Sequence, residues 1–145
     1  MTLKKQVFLG GTCGQNEWRT SFMEELVARG VPADRLFNPV VANWDDAAQR
    51  AEDAAKSESE YKLFYISNPG TPGNEVSAYS LVESVMGLYD DPDRTIMVVD
   101  TESMSPHVVK ALTKAVKDLK KRFPIGKVLG SRQEALEYLA ANLVG

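Results

Sequence analysis

Cysteine and histidine are almost missing from this sequence, which contains one of each, Cys13 and His107. A single cysteine cannot form an internal disulfide, and this usage is typical of proteins from a reducing compartment. Zinc sites need clustered histidine, cysteine or carboxylate ligands, so we predict no zinc site and no cofactor. A magnesium ion held by carboxylates alone stays compatible with the sequence.

Long apolar runs and an excess of positive charge are missing as well. No segment approaches the ~20 apolar residues that cross a membrane, and the start, MTLKKQVFLGG, has too few for the core of a signal peptide. The net charge of −3 excludes a strongly basic footprint for nucleic acid. We therefore expect a cytoplasmic protein that binds neither membranes nor nucleic acids.

The composition is that of an ordinary globular protein. Of the 145 residues, 43% are hydrophobic and 26% are charged, which suits a chain that buries an independent core. We find no internal repeat, low-complexity tract or linker. The sequence therefore predicts one domain over residues 1–145.

Apolar runs bounded by turn residues alternate with helical patterns five times along the chain. Strands are predicted over residues 6–11, 35–41, 62–67, 94–100 and 127–131, and helices over residues 16–30, 45–60, 76–89, 105–123 and 131–142. Five consecutive β–α units predict a parallel sheet with helices on both faces. We predict a three-layer, flavodoxin-like, doubly wound α/β fold with strand order 2-1-3-4-5.

The stretch TPGNEVSAYSLVES (71–84) places two carboxylates, Glu75 and Glu83, in or near the third helix. Apolar spacing predicts that the core face of this helix consists of Ala78, Leu81, Val82, Val85 and Tyr89. On that pattern Glu83 points toward solvent. Glu75 is interpreted as a first-turn acid that the helix dipole favours.

Ligands of doubly wound sheets bind beyond the carboxyl ends of the strands, near the point where the strand order reverses. This rule selects the loops 10–16, 38–45 and 67–76. Their candidate substrate-binding residues are Gly10, Gly11, Thr12, Asn38, Trp44 and Asn68.

These residue types suit a small, flat, polar ligand. Paired glycines let a ligand approach the backbone, and an asparagine both donates and accepts hydrogen bonds. A tryptophan, Trp44 or Trp18, could stack on a ring. A tight turn, a turn asparagine and a core tryptophan would explain the same residues without any ligand.

Several short segments occur together in one order. They are FLGGT (8–12), the pair Trp18-Arg19, FNPVV (37–41) followed by Trp44, Glu52 and Lys56 in the next helix, a third strand ending in IS, and YSLVES (79–84). The set, which covers about residues 6–100, resembles the nucleoside 2-deoxyribosyltransferase-like family within the wider nucleoside deoxyribosyltransferase group. The resemblance implies N-glycosidic chemistry on a nucleoside or nucleotide, by deoxyribosyl transfer or hydrolysis, and a homo-oligomeric assembly.

In that family a glutamate after the third strand attacks the anomeric carbon of the sugar. The segment Tyr79-Ser80-Leu81-Val82-Glu83 is similar to the family pattern Y-S-(I/L)-x-E. The resemblance therefore implies that Glu83 is the nucleophile, with Tyr79 one turn before it as a hydrogen-bonding partner. Asp45 and Asp46 are candidates for the acid that protonates the leaving base, on loop position only.

Two other functions stay open. The deoxyribosyltransferases tend to carry an aspartate at the end of the third strand, where this sequence has Ser67-Asn68. That difference is compatible with a nucleoside- or nucleotide-binding protein without turnover. A flavin-binding, flavodoxin-like module is the other alternative, because the first loop is rich in glycine.

Overall fold

A computed structural model describes residues 6–40 and 45–143 of the chain. Its elements are β1 (Val7–Gly11), α1 (Arg19–Ala28), a 3₁₀ turn (Ala33–Arg35), β2 (Leu36–Phe37), α2 (Asp46–Glu58), β3 (Tyr61–Ile66), α3 (Ala78–Asp90), β4 (Thr95–Val99), α4 (Pro106–Arg122), β5 (Lys127–Leu129) and α5 (Arg132–Leu143). None of the helices in these two ranges is both long and apolar enough to cross a membrane.

The five strands form one parallel sheet in the order β2-β1-β3-β4-β5. This confirms the predicted flavodoxin-like, three-layer α/β fold. Helices α1 and α5 pack together on one face of the sheet, and α3 and α4 cover the other. Helix α2 lies beside α3, since Lys56 of α2 contacts both Glu83 of α3 and the ring of Phe8 in β1.

The face under α1 and α5 is packed with large side chains. The ring of Trp18 stacks on that of Tyr65 with centroids 4.3 Å apart, and Phe22 contacts both rings at 5.6 Å. Leu136 and Leu139 of α5 are buried in the same cluster. Aromatic rings in tilted or offset contact bury much apolar area, so this layer is an extensive hydrophobic core.

Helix α3 approaches the opposite face closely because its buried side is made of small residues. Its buried residues are Ser80, Ser84, Gly87 and Leu88. A Cβ atom on Gly87 would lie only 3.0 Å from Thr95 Oγ1 and 3.2 Å from Phe64 Cε2. The sheet therefore leaves room for little more than hydrogen at this position.

The predicted core face of the third helix is confirmed at Leu81, which packs against the core, but is wrong at Ala78, Val82 and Tyr89. Tyr79, Val82, Met86 and Tyr89 are each at least half exposed, at 72%, 54%, 50% and 59%. Ala78 is exposed too, while Leu81 and Val85 are partly buried. Hydrophobic spacing failed here because close helix–sheet packing selects small residues, and serine and glycine carry no apolar signal.

Element boundaries differ most from the prediction at α1 and β2. Helix α1 is shorter at both ends than residues 16–30. Strand β2 pairs over only two residues, because Asn38 Oδ1 accepts a hydrogen bond from Val40 N across Pro39, which has no N–H to donate to a ladder.

The predicted starts of the second, fourth and fifth helices are confirmed. Asp45 Oδ1 accepts from Ala48 N at 2.8 Å at the start of α2, and Ser105 precedes Pro106 at the start of α4. At the start of α5, Ser131 Oγ accepts from the backbone N of Glu134 at 3.2 Å. Capping side chains are short-range signals, which is why the sequence reveals them.

Candidate functional site

A cavity of about 580 Å³ opens at the carboxyl end of β1, between that strand and helices α2 and α3. Its lining includes four of the predicted site residues, Gly10, Gly11, Tyr79 and Glu83. The cavity lies beside the point where the strand order reverses between β1 and β3. This is the position at which open α/β sheets bind ligands.

Two glycines at the end of β1 contribute bare backbone to this cavity. A Cβ atom on Gly10 would lie 2.9 Å from Phe8 Cε1. Gly11 has a φ of 120°, and a Cβ atom there would lie 2.2 Å from the carbonyl oxygen of Tyr65. No larger residue fits at Gly11 without moving β3, so this part of the wall stays free of side chains.

A buried arginine holds the β1–α1 loop in place. Arg19 is 1% exposed, and its guanidinium donates to the carbonyl oxygens of Leu9 at 2.9 Å, Thr12 at 3.1 Å and Gly11 at 3.2 Å. It also pairs with Glu17 at 3.4 Å. The sequence singled out Arg19 only as part of the family resemblance, because an arginine at the start of a helix is ordinarily exposed.

Glu83 points into the cavity and not toward open solvent, so that prediction is wrong. Its side chain is 18% exposed, and its Oε2 lies 3.5 Å from the ammonium of Lys56. Lys56 Nζ also lies 3.9 Å from Glu52 Oε1, one turn earlier on α2. Two carboxylates and one ammonium thus meet on one wall of the cavity.

Tyr79 lies at the rim of the cavity. It is 72% exposed, and the hydrogen bonds among the described residues include none between its hydroxyl and Glu83. Ser77, the N-cap of α3, lines the cavity nearby, and its Oγ accepts from Ser80 N and donates to Ser80 Oγ. Lys56, and not Tyr79, is therefore the residue that contacts the Glu83 carboxylate.

Thr12 and Asn38 lie outside this cavity. Thr12 is buried, and its Oγ1 donates to Ser67 O at 3.2 Å and accepts from Ser67 N at 3.0 Å. These bonds join the ends of β1 and β3. Asn38 forms its turn with Val40 and faces a separate groove beside α1. Trp44 lies outside the residues that the structure describes.

Asn68 belongs to a second, polar cavity of about 390 Å³ on the α1 and α5 side of the sheet. Its Nδ2 donates to Ser103 O at 2.9 Å, and its Oδ1 accepts from Gly70 N at 2.9 Å, so both ends of the amide support loop backbone. Trp18 is buried against Tyr65, and its Nε1 donates to Thr12 O. The structure thus does not bring either residue to Glu83.

Glu75 supports a different helix from the one predicted. It precedes Ser77, the N-cap of α3, and its carboxylate accepts from Ser105 N at 2.5 Å and from Ser105 Oγ at 2.6 Å, at the start of α4. These two hydrogen bonds hold the pKa of Glu75 below its ordinary value. Its interpretation as a first-turn acid of the third helix is wrong, since only tertiary structure brings it to Ser105.

Asp45 and Asp46 do not line the Glu83 cavity, whose acidic residues are Glu52 and Glu83. Within the described ranges, no group of three or more histidine, cysteine, aspartate or glutamate side chains is arranged to hold a metal ion. Cys13 was missed as a site residue; it is exposed and lines the cavity, with its Sγ 3.8 Å from Arg19 Nη2.

The sequence matches no known protein-family model, and a comparison with curated proteins likewise returns no significant match. The arrangement of the cavity itself therefore carries the functional argument.

Proposed function

We propose that this cavity is the active site of an enzyme that breaks the N-glycosidic bond of a nucleoside or nucleotide, with Glu83 as the nucleophile. One observation carries the proposal: a partly buried carboxylate, held by an ammonium, faces a cavity with bare glycine backbone in its wall. Its volume of about 580 Å³ suits a small molecule.

The chemistry needs a carboxylate in this setting. As the bond between the anomeric carbon and the base nitrogen breaks, positive charge develops on the sugar ring. The carboxylate of Glu83 stabilises this charge and forms a bond to the anomeric carbon, while the base leaves with the bonding electron pair. A second base or a water molecule then takes the sugar and releases Glu83.

The leaving base needs a proton, and Glu52 is the second carboxylate on the cavity wall. Its side chain is 21% exposed and contacts the same ammonium as Glu83. Paired carboxylates that flank a glycosidic bond divide the roles of nucleophile and acid. Position therefore favours Glu52 over Asp45 and Asp46, which do not line the cavity.

The test is incubation of the purified protein with a panel of nucleosides and nucleotides, with and without free acceptor bases. Chromatography reports released or exchanged base, and intact-mass spectrometry reports a glycosyl adduct on the protein. Glu83→Gln should abolish both signals, whereas Glu137→Gln on the exposed surface of α5 should leave them unchanged. Full activity in Glu83→Gln would refute the assignment of the nucleophile.

Alkylation of Cys13, combined with the assay for released base, separates an enzyme from a binding protein. It is the only cysteine in the chain and it is an exposed residue of this cavity. A bound nucleoside or nucleotide should slow its reaction with iodoacetamide. Protection without any release of base would favour a nucleoside-binding protein, and release of base would exclude it.

The outer side of α3 supports the expected homo-oligomer. Tyr79, Val82, Met86 and Tyr89 form an exposed apolar row with spacings of three, four and three residues. A row with this spacing matches a second copy of itself in helix–helix packing, and Tyr79 would then be covered beside the cavity. Sedimentation should show a dimer or larger assembly that Val82→Glu dissociates; a monomeric wild-type protein would contradict this assembly.

A further inference from the structure

We infer that Lys56 is a positioning residue for the nucleophile: it holds one oxygen of Glu83 and leaves the other free to attack. The inference rests on the proposed function and goes beyond it. It assigns to Lys56 the role that the sequence predicted for Tyr79.

The contacts of Lys56 place its charge between two acids on one wall of the cavity. Its Nζ lies 3.5 Å from Glu83 Oε2 and 3.9 Å from Glu52 Oε1, and also 5.5 Å from the centre of the Phe8 ring. Three neighbours on α2, α3 and β1 thus restrict where the ammonium can sit. An ammonium over the face of an aromatic ring is attracted to it, which favours this position of the Lys56 charge.

Of the two basic residues that line the cavity in the described part of the chain, Lys56 alone reaches Glu83. The other, Arg19, donates to the carbonyl oxygens of Leu9, Gly11 and Thr12 and pairs with Glu17. Without Lys56, the partly buried carboxylate of Glu83 would have no ammonium within 4 Å among the described residues. It would then lose the contact that favours its position in the cavity.

The bond to a single oxygen matters for the chemistry. Lys56 contacts Oε2 of Glu83, and the hydrogen bonds of the described residues include none to Oε1. A carboxylate held by one oxygen keeps its second oxygen available to form the bond to the anomeric carbon. Since misplacement of a reacting group by about 1 Å can cost on the order of 10²-fold in rate, such a contact is kinetically important.

Three variants test the role. Lys56→Met removes the charge, Lys56→Arg keeps it, and Lys62→Met is the matched control. Lys62 of β3 likewise contacts a carboxylate, that of Asp91 at the end of α3, at 2.7 Å. Lys62 lies at the opposite end of β3 from the cavity, however. Circular dichroism and thermal melting establish that each variant is folded before its kinetics are compared.

The expected result is a lower kcat with little change in KM for Lys56→Met, by roughly 10- to 100-fold, because the lost contact positions the reacting group. Formation of the glycosyl adduct should slow by the same factor. Lys56→Arg should recover most of the rate, and Lys62→Met should match the wild-type protein.

Three results would overturn the inference. A higher KM at unchanged kcat would make Lys56 a substrate-binding residue, and a Lys56→Arg rate no better than that of Lys56→Met would exclude a role for the charge. Wild-type kinetics in Lys56→Met would likewise exclude the role. If the wild-type protein itself releases no base, the proposed function has failed, and this outcome is distinct from all three.

Discussion

The two faces of the sheet are packed in opposite ways. Under α1 and α5, large rings such as Phe22 and Tyr65 fill the space between helix and sheet. Under α3, Ser80, Ser84 and Gly87 leave no such space, and the helix lies close to the strands. The first face provides the aromatic core, and the second, whose own apolar cluster includes Leu88 and Met97, brings a helix with Glu83 on its flank to the glycine end of β1.

This difference teaches that the catalytic candidate depends on small residues. A helix held away from the sheet by large side chains would carry Glu83 farther from Gly10 and Gly11. Close approach requires glycine or serine at the contact, and these residues contribute little apolar burial. The α1 and α5 face supplies that burial in their place.

The largest expected effect on stability comes from Phe22→Ala, on the sheet face under α1 and α5. Phe22 is fully buried between Trp18 and Tyr65. Its removal leaves a cavity and should lower the free energy of unfolding by about 3–5 kcal/mol. Urea denaturation measures the loss. Val27→Ala, on the same helix at an exposed position, is the control and should change stability little; equal effects would show that this face is not the main core.

On the α3 face, the change expected to lower stability is an increase in side-chain volume. Gly87→Leu places carbons against Thr95, whose Oγ1 donates to Asp91 O at 2.8 Å and so resists movement. Overpacking should cost about 1–3 kcal/mol in urea denaturation. It should also reduce the proposed activity by moving α3. Ala111→Leu, on the exposed side of α4, should be tolerated; a stable Gly87→Leu would show that the helix is free to move outward.

Tyr65→Phe removes a hydrogen bond from the face under α1 and α5 but keeps the aromatic ring. The Tyr65 hydroxyl donates to Asp100 Oδ2 at 2.6 Å, and its loss should cost about 1–2 kcal/mol. Burial and this hydrogen bond raise the pKa of Tyr65 well above its ordinary value. The folded state therefore keeps a proton that the unfolded state releases above pH ~10.

The raised pKa of Tyr65 determines how this contribution to stability changes with pH. The stability from the neutral hydroxyl is present below pH ~10 and declines as the pH rises above it. The difference in unfolding free energy between wild type and Tyr65→Phe should consequently narrow in alkaline buffer. Tyr89→Phe, at an exposed position, controls for the ionisation of tyrosines in general. A constant difference at all pH values would contradict the prediction.

The smallest effect on stability is expected from a change at Glu75, which joins the loop before α3 to the start of α4. Its pKa is lowered by the two hydrogen bonds from Ser105, so its contribution is present above pH ~4.3 and is lost as the pH falls below that value. The melting temperature of the wild-type protein should fall more steeply in acid than that of Glu75→Gln. Parallel curves would mean that the contact with Ser105 does not persist in solution.

Much of the fold was predictable because its signals are local. Alternating apolar runs and helical patterns indicate β–α units, and side chains such as Asp45 and Ser131 mark helix starts. The right-handed crossover of parallel units leaves few possible strand orders, and the predicted order is the observed one. The sequence predicted a short β2 broken by Pro39, and the structure limits its pairing to two residues, since the turn at Asn38 competes with pairing.

The candidate site was predictable only in part. Family-like spacing selected Glu83, and the rule for strand ends selected Gly10 and Gly11, which the structure brings to one cavity. Thr12 and Asn68 follow the same rule but are used to hold loops together. Which polar residue of a loop faces a cavity depends on partners far away in the chain.

By itself, the sequence determined the order of strands and helices, the parallel sheet and the loops in which a site could lie. The family resemblance selected Glu83 over Glu75, but tertiary structure alone decided the partner of each carboxylate in TPGNEVSAYSLVES. Glu75 turns to Ser105, thirty residues later, and Glu83 turns to Lys56, twenty-seven residues earlier. The physical reason is that periodicity reports which side chains avoid water, whereas the position of a charge depends on the partner that the fold brings to it.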